Sequence, residues 1–378
     1  MAKADTFIHL FSKMVDWCLK FAKTSRQQNA ILSSIINVIE TKRNTFVNYT
    51  ERPVFLRDLN YSSLNDSFDC SRLGIVLQGP IKYEKDFTLE SIRIYKKLFK
   101  GVSIVVSTWE TESSDYIKIL KKEGVYVVLS PLPEKSGIGN INYQVISTLA
   151  GLKKLKEIGC QYSMKTRTDQ RLYRIDLFPY LLSLLESYDI EDIFNIKCQK
   201  GRICFCEGSM PSNILLPFHI CDFWFFGYTD DLINYFNCPM SMHNKSDVVD
   251  NQNFKKLVDN VSVAKRHSII APEVILPTQY LKSNGYNVDA ESLEQSWIFV
   301  TSYLIPVSFD ELNLFWFKYF ENYNQSLMRT EYISGNEVHY STYNQTWSFR
   351  NWLSIRCGYI KITDKMISFG KQKYEYYI

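Results

Sequence analysis

The sequence predicts an α/β fold: a mostly parallel, Rossmann-type sheet with helices on both faces. Three observations carry this reading. Short apolar runs alternate with helix-length amphipathic segments between residues 73 and 188. Several of those runs stop at Gly, Pro or a cluster of charges. The composition, 46% apolar and 22% charged over 378 residues, is that of a globular chain. That length suits roughly two or three domains, or one large domain with extensions.

The elements follow in order. Residues 1–45 read as helix, because Phe7, Leu10, Phe11, Met14, Trp17, Cys18 and Phe21 recur at helical spacing, followed by Ile31, Leu32, Ile35, Ile36 and Ile39. Residues 50–70 read as a linker, with Pro53 and a turn-rich run over 60–67. Strands are expected at 73–77 (LGIVL), 102–107 (VSIVVS), 125–129 (VYVVL) and 162–166. Helices are expected at 87–99, at 111–122 with Thr111 as its cap, and at 142–158 and 177–188. Such alternation means right-handed βαβ units and a sheet buried on both faces. Beyond residue 190 the pattern weakens, leaving a strand at 222–228 (DFWFFGY) and a helix at 272–283 that opens with Pro272 and Glu273. The expected organisation is a helical extension and linker over 1–70, a sheet domain over 71–300 and an aromatic-rich accessory region over 301–378.

Charge and composition narrow the function classes. A formal charge of +4 gives no general case for nucleic-acid binding. Nine cysteines without regular spacing argue for reduced thiols. The tightest group, Cys198, Cys204, Cys206 and Cys221, lacks the paired spacing of a zinc site. No apolar run approaches the roughly 20 residues of a membrane span. No signal peptide is read at the N-terminus, so a cytoplasmic location is expected. The stripe from Phe7 to Phe21, with Lys13, Lys20, Lys23 and Arg26 adding positive charge, reads either as part of a helical pair packed on the main domain or as an interfacial membrane helix.

Ligands in parallel sheets bind beyond the carboxyl ends of the strands. Candidate site residues are therefore sought at Gln78-Gly79-Pro80, at Thr108 and in the segment 165–171 (KTRTDQR). Lys165, Arg167 and Arg171 suit a diphosphate, and Asp169 suits a divalent metal bridging it. The same segment also reads as a strand end with Asp169 paired to Arg167 or Arg171. Residues 137–144 (GIGNINYQ) run a Gly-bearing loop into a helix, whose free N–H groups favour anions. Asn140, Asn142 and Gln144 approach the ligand on this reading. The third glycine of a dinucleotide fingerprint is missing, and no phosphate-loop or G-x-S-x-G pattern occurs. Asp222 and Glu273 are candidate bases, and each also reads as a cap or loop charge. His267 lies six residues before Glu273, where a metal or base role is conceivable.

The order GIVLQGPI, VVSTW, the N-x-N-x-Q loop opening NYQVISTLAGLKKLK, YSMKTRTDQRL, DFWFFG and PEVILPTQYL resembles the WavE family of lipopolysaccharide-synthesis proteins over about 73–285. The resemblance implies a GT-A-like fold and a glycosyltransferase. Such an enzyme moves a sugar from a nucleotide-diphosphate donor, a UDP-sugar foremost, to a growing lipopolysaccharide, O-antigen or capsule glycan. Its implied partners are a nucleotide sugar and a lipid-linked or oligosaccharide acceptor, with peripheral membrane contact and no nucleic acid. GT-A enzymes usually carry Asp-x-Asp. Here the place reads Thr-Arg-Thr-Asp, so only Asp169 carries over and a Mn²⁺ or Mg²⁺ requirement is in doubt. The alternative is a non-catalytic glycan-binding or scaffold protein, with Trp316, Phe317, Tyr319, Trp347 and Trp352 stacking on sugars.

Overall fold

The computed structural model describes residues 2–44, 46–47, 51–59, 68–196, 199–207, 213–319 and 346–372. The turn-rich run over 60–67 and Cys198 lie outside the described residues. Two compact units form, residues 1–52 and residues 53–378.

The first unit holds two helices, Ala2–Phe21 and Ser25–Arg43. The second begins with a capping box: the Thr24 hydroxyl accepts from the Gln27 amide, and the Gln27 side chain accepts from the Thr24 amide. This stop and restart makes a helical pair of the stretch read as helix over 1–45.

The second unit is built on a seven-stranded sheet. Its strands are β1 (Leu73–Gln78), β2 (Ser103–Trp109), β3 (Tyr126–Ser130), β4 (Tyr162–Arg167), β6 (Ile203–Cys206), β7 (Phe225–Tyr228) and β8 (Leu304–Val307). The order is β3-β2-β1-β4-β7-β6-β8. The first four strands are mutually parallel, β7 runs antiparallel to β4 and β6, and β8 is parallel to β6. A separate ribbon pairs β5 (Gln170–Leu172) with β9 (Leu314–Trp316). This is the Rossmann-like α/β architecture expected from the alternation.

The β1 run LGIVLQ is buried at every position, as a central parallel strand must be. Helix Ile141–Glu157 lies close against it. A Cβ on Gly151 would stand 2.4 Å from Val76 Cγ1 and 3.1 Å from the Ser107 Cβ, so only glycine admits that approach. Helix Ser114–Lys122 is capped by Ser113 instead of Thr111. The boundary expected at residue 300 is not a structural one. Leu304–Val307 completes the main sheet, and Trp347 and Trp352 are fully buried in the same core. Period-two patterning could not reveal β8, because LIPV is apolar throughout and buried on both faces. The segment after Arg52 also belongs to this unit: the Leu56 amide donates to Glu90, and Arg171 donates to the Val54 carbonyl.

Candidate functional site

The rims of β1 and β4 border a pocket of about 740 Å³. Its wall draws on Trp109 of β2, Asn213 and six further segments. Gln78, Gly79 and Pro80 extend from β1, and Arg167 ends β4. Asn140 and Gln144 come from the start of helix Ile141–Glu157. His219, Cys221 and Asp222 come from the loop before β7. Glu273 comes from the first turn of helix Pro272–Ser283, and Trp316 and Lys318 from β9 and beyond.

Helical and strand periodicity decide which expected residues reach this wall. Asn140 and Gln144 are four apart and share a face, whereas Asn142 lies off it. The Asn142 carboxamide instead donates to the Lys135 and Ser241 carbonyls at 2.9 and 2.8 Å and accepts from the Ser241 amide. It ties the 135–142 loop to the 241–245 segment. The Asn142 amide donates to the Ser136 carbonyl, so this helix start does not offer that N–H to an anion. Thr108 is buried and bonded to Glu112, while its neighbour Trp109 faces the pocket, as alternation along β2 requires.

The KTRTDQR segment divides. Arg167 lines the pocket, and its guanidinium binds both oxygens of Asp169, at 2.8 and 3.1 Å. The Asp169 carboxylate also accepts from the Trp316 indole at 3.2 Å. Of the two pairings open to Asp169, the one with Arg167 forms. A divalent ion would find one carboxylate here, already bonded through both oxygens, beside a fixed cation. That donor set does not fit a metal. Among the described residues, no group of three or more His, Cys, Asp and Glu side chains stands ready for one.

Arg171 and Lys165 do not reach the pocket wall. Arg171 is buried, donating to the Val54 and Phe87 carbonyls, Ser91 and Tyr173, with its guanidinium 4.2 Å above the Phe87 ring. Its work is structural, a bidding of chain segments together, and diphosphate contact is ruled out by burial. Lys165 is also fully buried, with Nζ 2.6 Å from the Asp222 carbonyl oxygen. Both expectations failed because strand-end position says nothing about which side chains fold inward.

The opposite wall is acidic. Burial and the charge of Asp222 push the Glu273 carboxyl up from 4.5 to about 8. The two residues are brought together by the Ile220 amide, which donates to the Glu273 carbonyl at 3.0 Å. His219, on the same loop, sits 5.5 Å ring to ring from His267. Burial lowers His219 to about 3 and His267 to about 4, so both are neutral near pH 7 and neither suits a base there. Burial pushes the Cys221 thiol well above its usual range, which leaves it unreactive.

His219, Trp109, Tyr143 and Lys318 were not picked from the sequence as site residues. His219 precedes Asp222 by three residues in HICD, and that short spacing was the available signal. Lys318 arrives through the β5–β9 pairing, which no local pattern announces. Of the aromatics expected to stack on sugars, Trp316 lines the pocket. Trp347 and Trp352 are core residues, Phe317 packs on Phe87, and the Tyr319 side chain lies outside the described residues.

The Glu273 shift has a stability consequence with a definite sign. Between pH 4.5 and about 8 the folded chain keeps a proton that the unfolded chain releases, so stability falls as pH rises through this window. Glu273→Gln removes that loss. Its melting temperature relative to the wild type is expected to climb from pH 5 to pH 8 and then level off. A difference independent of pH in thermal unfolding contradicts the assignment.

A search of the curated proteins finds no significant match to the chain. The family profile for WavE lipopolysaccharide synthesis matches residues 73–287, the span that contains the first four strands of the sheet, Asp222 and Glu273. With more than half of its length matched, the chain belongs to the WavE family of lipopolysaccharide synthesis.

Proposed function

We propose that the protein is a glycosyltransferase that moves a sugar from a nucleoside-diphosphate donor, a UDP-sugar foremost, to a lipopolysaccharide, O-antigen or capsule glycan. The observation that carries the reading is the polarity of one pocket. Arg167 and Lys318 line it together with Asp222 and Glu273, at the carboxyl rim of a Rossmann-like sheet.

The chemistry follows from that arrangement. Arg167 and Lys318 balance the diphosphate, and Gln78, Gly79 and Pro80 border the nucleotide. Trp316, whose ring lies 5.3 Å from the Arg167 guanidinium, offers an apolar face to the base or sugar. The acceptor hydroxyl oxygen forms a bond to the anomeric carbon as the bond from that carbon to the phosphate oxygen breaks. The electron pair leaves on the diphosphate, and the hydroxyl proton passes to the Asp222 carboxylate. This single displacement inverts the anomeric centre. Glu273, protonated below about pH 8, donates a hydrogen bond in the same wall instead of competing as a base. Positioning and stabilisation of the leaving diphosphate supply most of the rate.

A panel of nucleotide sugars scored for nucleotide release tests the reading. One donor is expected to give release that EDTA leaves unchanged, since Asp169 is committed to Arg167 and Trp316. Asp222→Asn is expected to cut turnover about 10²–10⁴-fold with the fold intact. Arg167→Ala is expected to raise the KM for the donor. Oligosaccharide binding with no affinity for any nucleotide would replace the enzyme with a glycan-binding module.

Membrane contact is the second part of the proposal. Residues 1–52 carry eight Lys and Arg against four Asp and Glu, which equals the net +4 of the whole chain. In that unit Leu10, Met14, Trp17 and Phe21 are exposed, Trp17 to 60% and Phe21 to 64%. Among the described residues no helix is long and apolar enough to cross a membrane. An exposed apolar stripe on a basic helical pair fits an anionic lipid surface. Deletion of residues 1–25 is expected to abolish co-sedimentation with phosphatidylglycerol vesicles while donor turnover in solution persists. Undiminished sedimentation contradicts it.

A further inference from the structure

We propose that Lys165 is a positioning residue: with Gln144 it clamps the backbone carbonyl of Asp222 and so fixes where the Asp222 carboxylate stands in the pocket. The inference rests on the role of Asp222 proposed above.

The geometry is specific. Lys165 Nζ and Gln144 Nε2 each lie 2.6 Å from the Asp222 carbonyl oxygen. One carbonyl has two lone pairs, and two side chains from different elements fill both. Lys165 comes from β4 and Gln144 from helix Ile141–Glu157. Asp222 sits three residues before the chain enters β7. Pairing of β4 with β7 runs from Tyr162↔Tyr228 to Lys165↔Phe225 and stops there. Three residues earlier the Asp222 carbonyl therefore has no strand partner, and the two side-chain donors replace the missing ladder bond.

Burying the lysine is costly, and an apolar side chain of the same length would fill that volume more cheaply. Lys165 is wholly excluded from solvent and does not line the pocket, so a direct hold on the diphosphate is closed to it. Its remaining surroundings are the Phe236 ring, 5.6 Å from Nζ, and the charged or titratable groups Asp222, Arg167, Cys221 and Asp169. Burial lowers its ammonium from 10.5 to about 7, with Arg167 lowering it further and Asp222 opposing. A neutral amine still donates, so the clamp outlasts deprotonation. Loss of its charge removes a cation that interacts with Asp222, so turnover is expected to show a step through about pH 7, separately from the Glu273 titration near 8.

The test compares full-length Lys165→Met, Gln144→Leu and Asp222→Asn with the wild type, using the donor found in the nucleotide-sugar panel. Lys165→Met is expected to lower kcat about 10–100-fold with the donor KM within about twofold. It is also expected to lose the step near pH 7, which Glu273→Gln retains. A raised KM with kcat unchanged would assign Lys165 to the donor and overturn the clamp. Wild-type kcat in Lys165→Met, with Asp222→Asn inactive, overturns the clamp alone. Full activity in Asp222→Asn overturns the base assignment and the clamp with it. Should Lys165→Met fail to fold, Gln144→Leu carries the test. A fall in kcat supports the clamp, and an unchanged kcat overturns it.

Discussion

Two carboxyl groups facing one pocket repel each other, and the fold must hold them there against that repulsion. Asp222 is fixed through its carbonyl by Lys165 and Gln144, and Glu273 through its carbonyl by the Ile220 amide. Backbone anchors of this kind leave the side chains free to work. The repulsion appears, together with burial, in the Glu273 carboxyl, which is raised to about 8 and so keeps its proton at neutral pH. On the proposed reading, this leaves Asp222 as the base and Glu273 as the hydrogen-bond donor.

The cationic side is organised differently. Arg167 is held by Asp169, and Asp169 by Trp316. A carboxylate that would serve as a metal ligand elsewhere here orients a guanidinium. If this segment stands where GT-A enzymes carry Asp-x-Asp, as the proposed function implies, arginine in place of the first acid changes the electrostatic logic of the site. On the proposed reading, charge on a diphosphate is met by cations, and Asp169 keeps one of them, Arg167, in place.

The sheet was legible because parallel strands advertise themselves. The apolar runs LGIVL, VSIVVS and VYVVL between helix-length segments each formed a strand, although the last is an edge strand with Tyr126 and Leu129 exposed. Helix Pro272–Ser283 was equally plain from its Pro and Glu start. The strands β6, β8 and β9 were not legible, since four apolar residues in a row or a three-residue pairing carry no periodicity. Within the site, Gln78, Arg167, Asp222 and Glu273 reached the pocket, whereas Asn142, Lys165 and Arg171 turned inward. Motif reading finds the neighbourhood of a site. Which of its polar residues face solvent depends on long-range partners such as Ser241, Val54 and Asp222 itself.

The transferase reading and the clamp both require a nucleoside diphosphate to sit at the rims of β1 and β4. Amide hydrogen exchange, measured with and without uridine diphosphate, reads that location directly. The account predicts slowed exchange over residues 78–80, 139–144 and 166–168, with residues 114–130 unchanged. Exchange unaltered along the whole chain at millimolar nucleotide, or slowed only within residues 1–52, would contradict it.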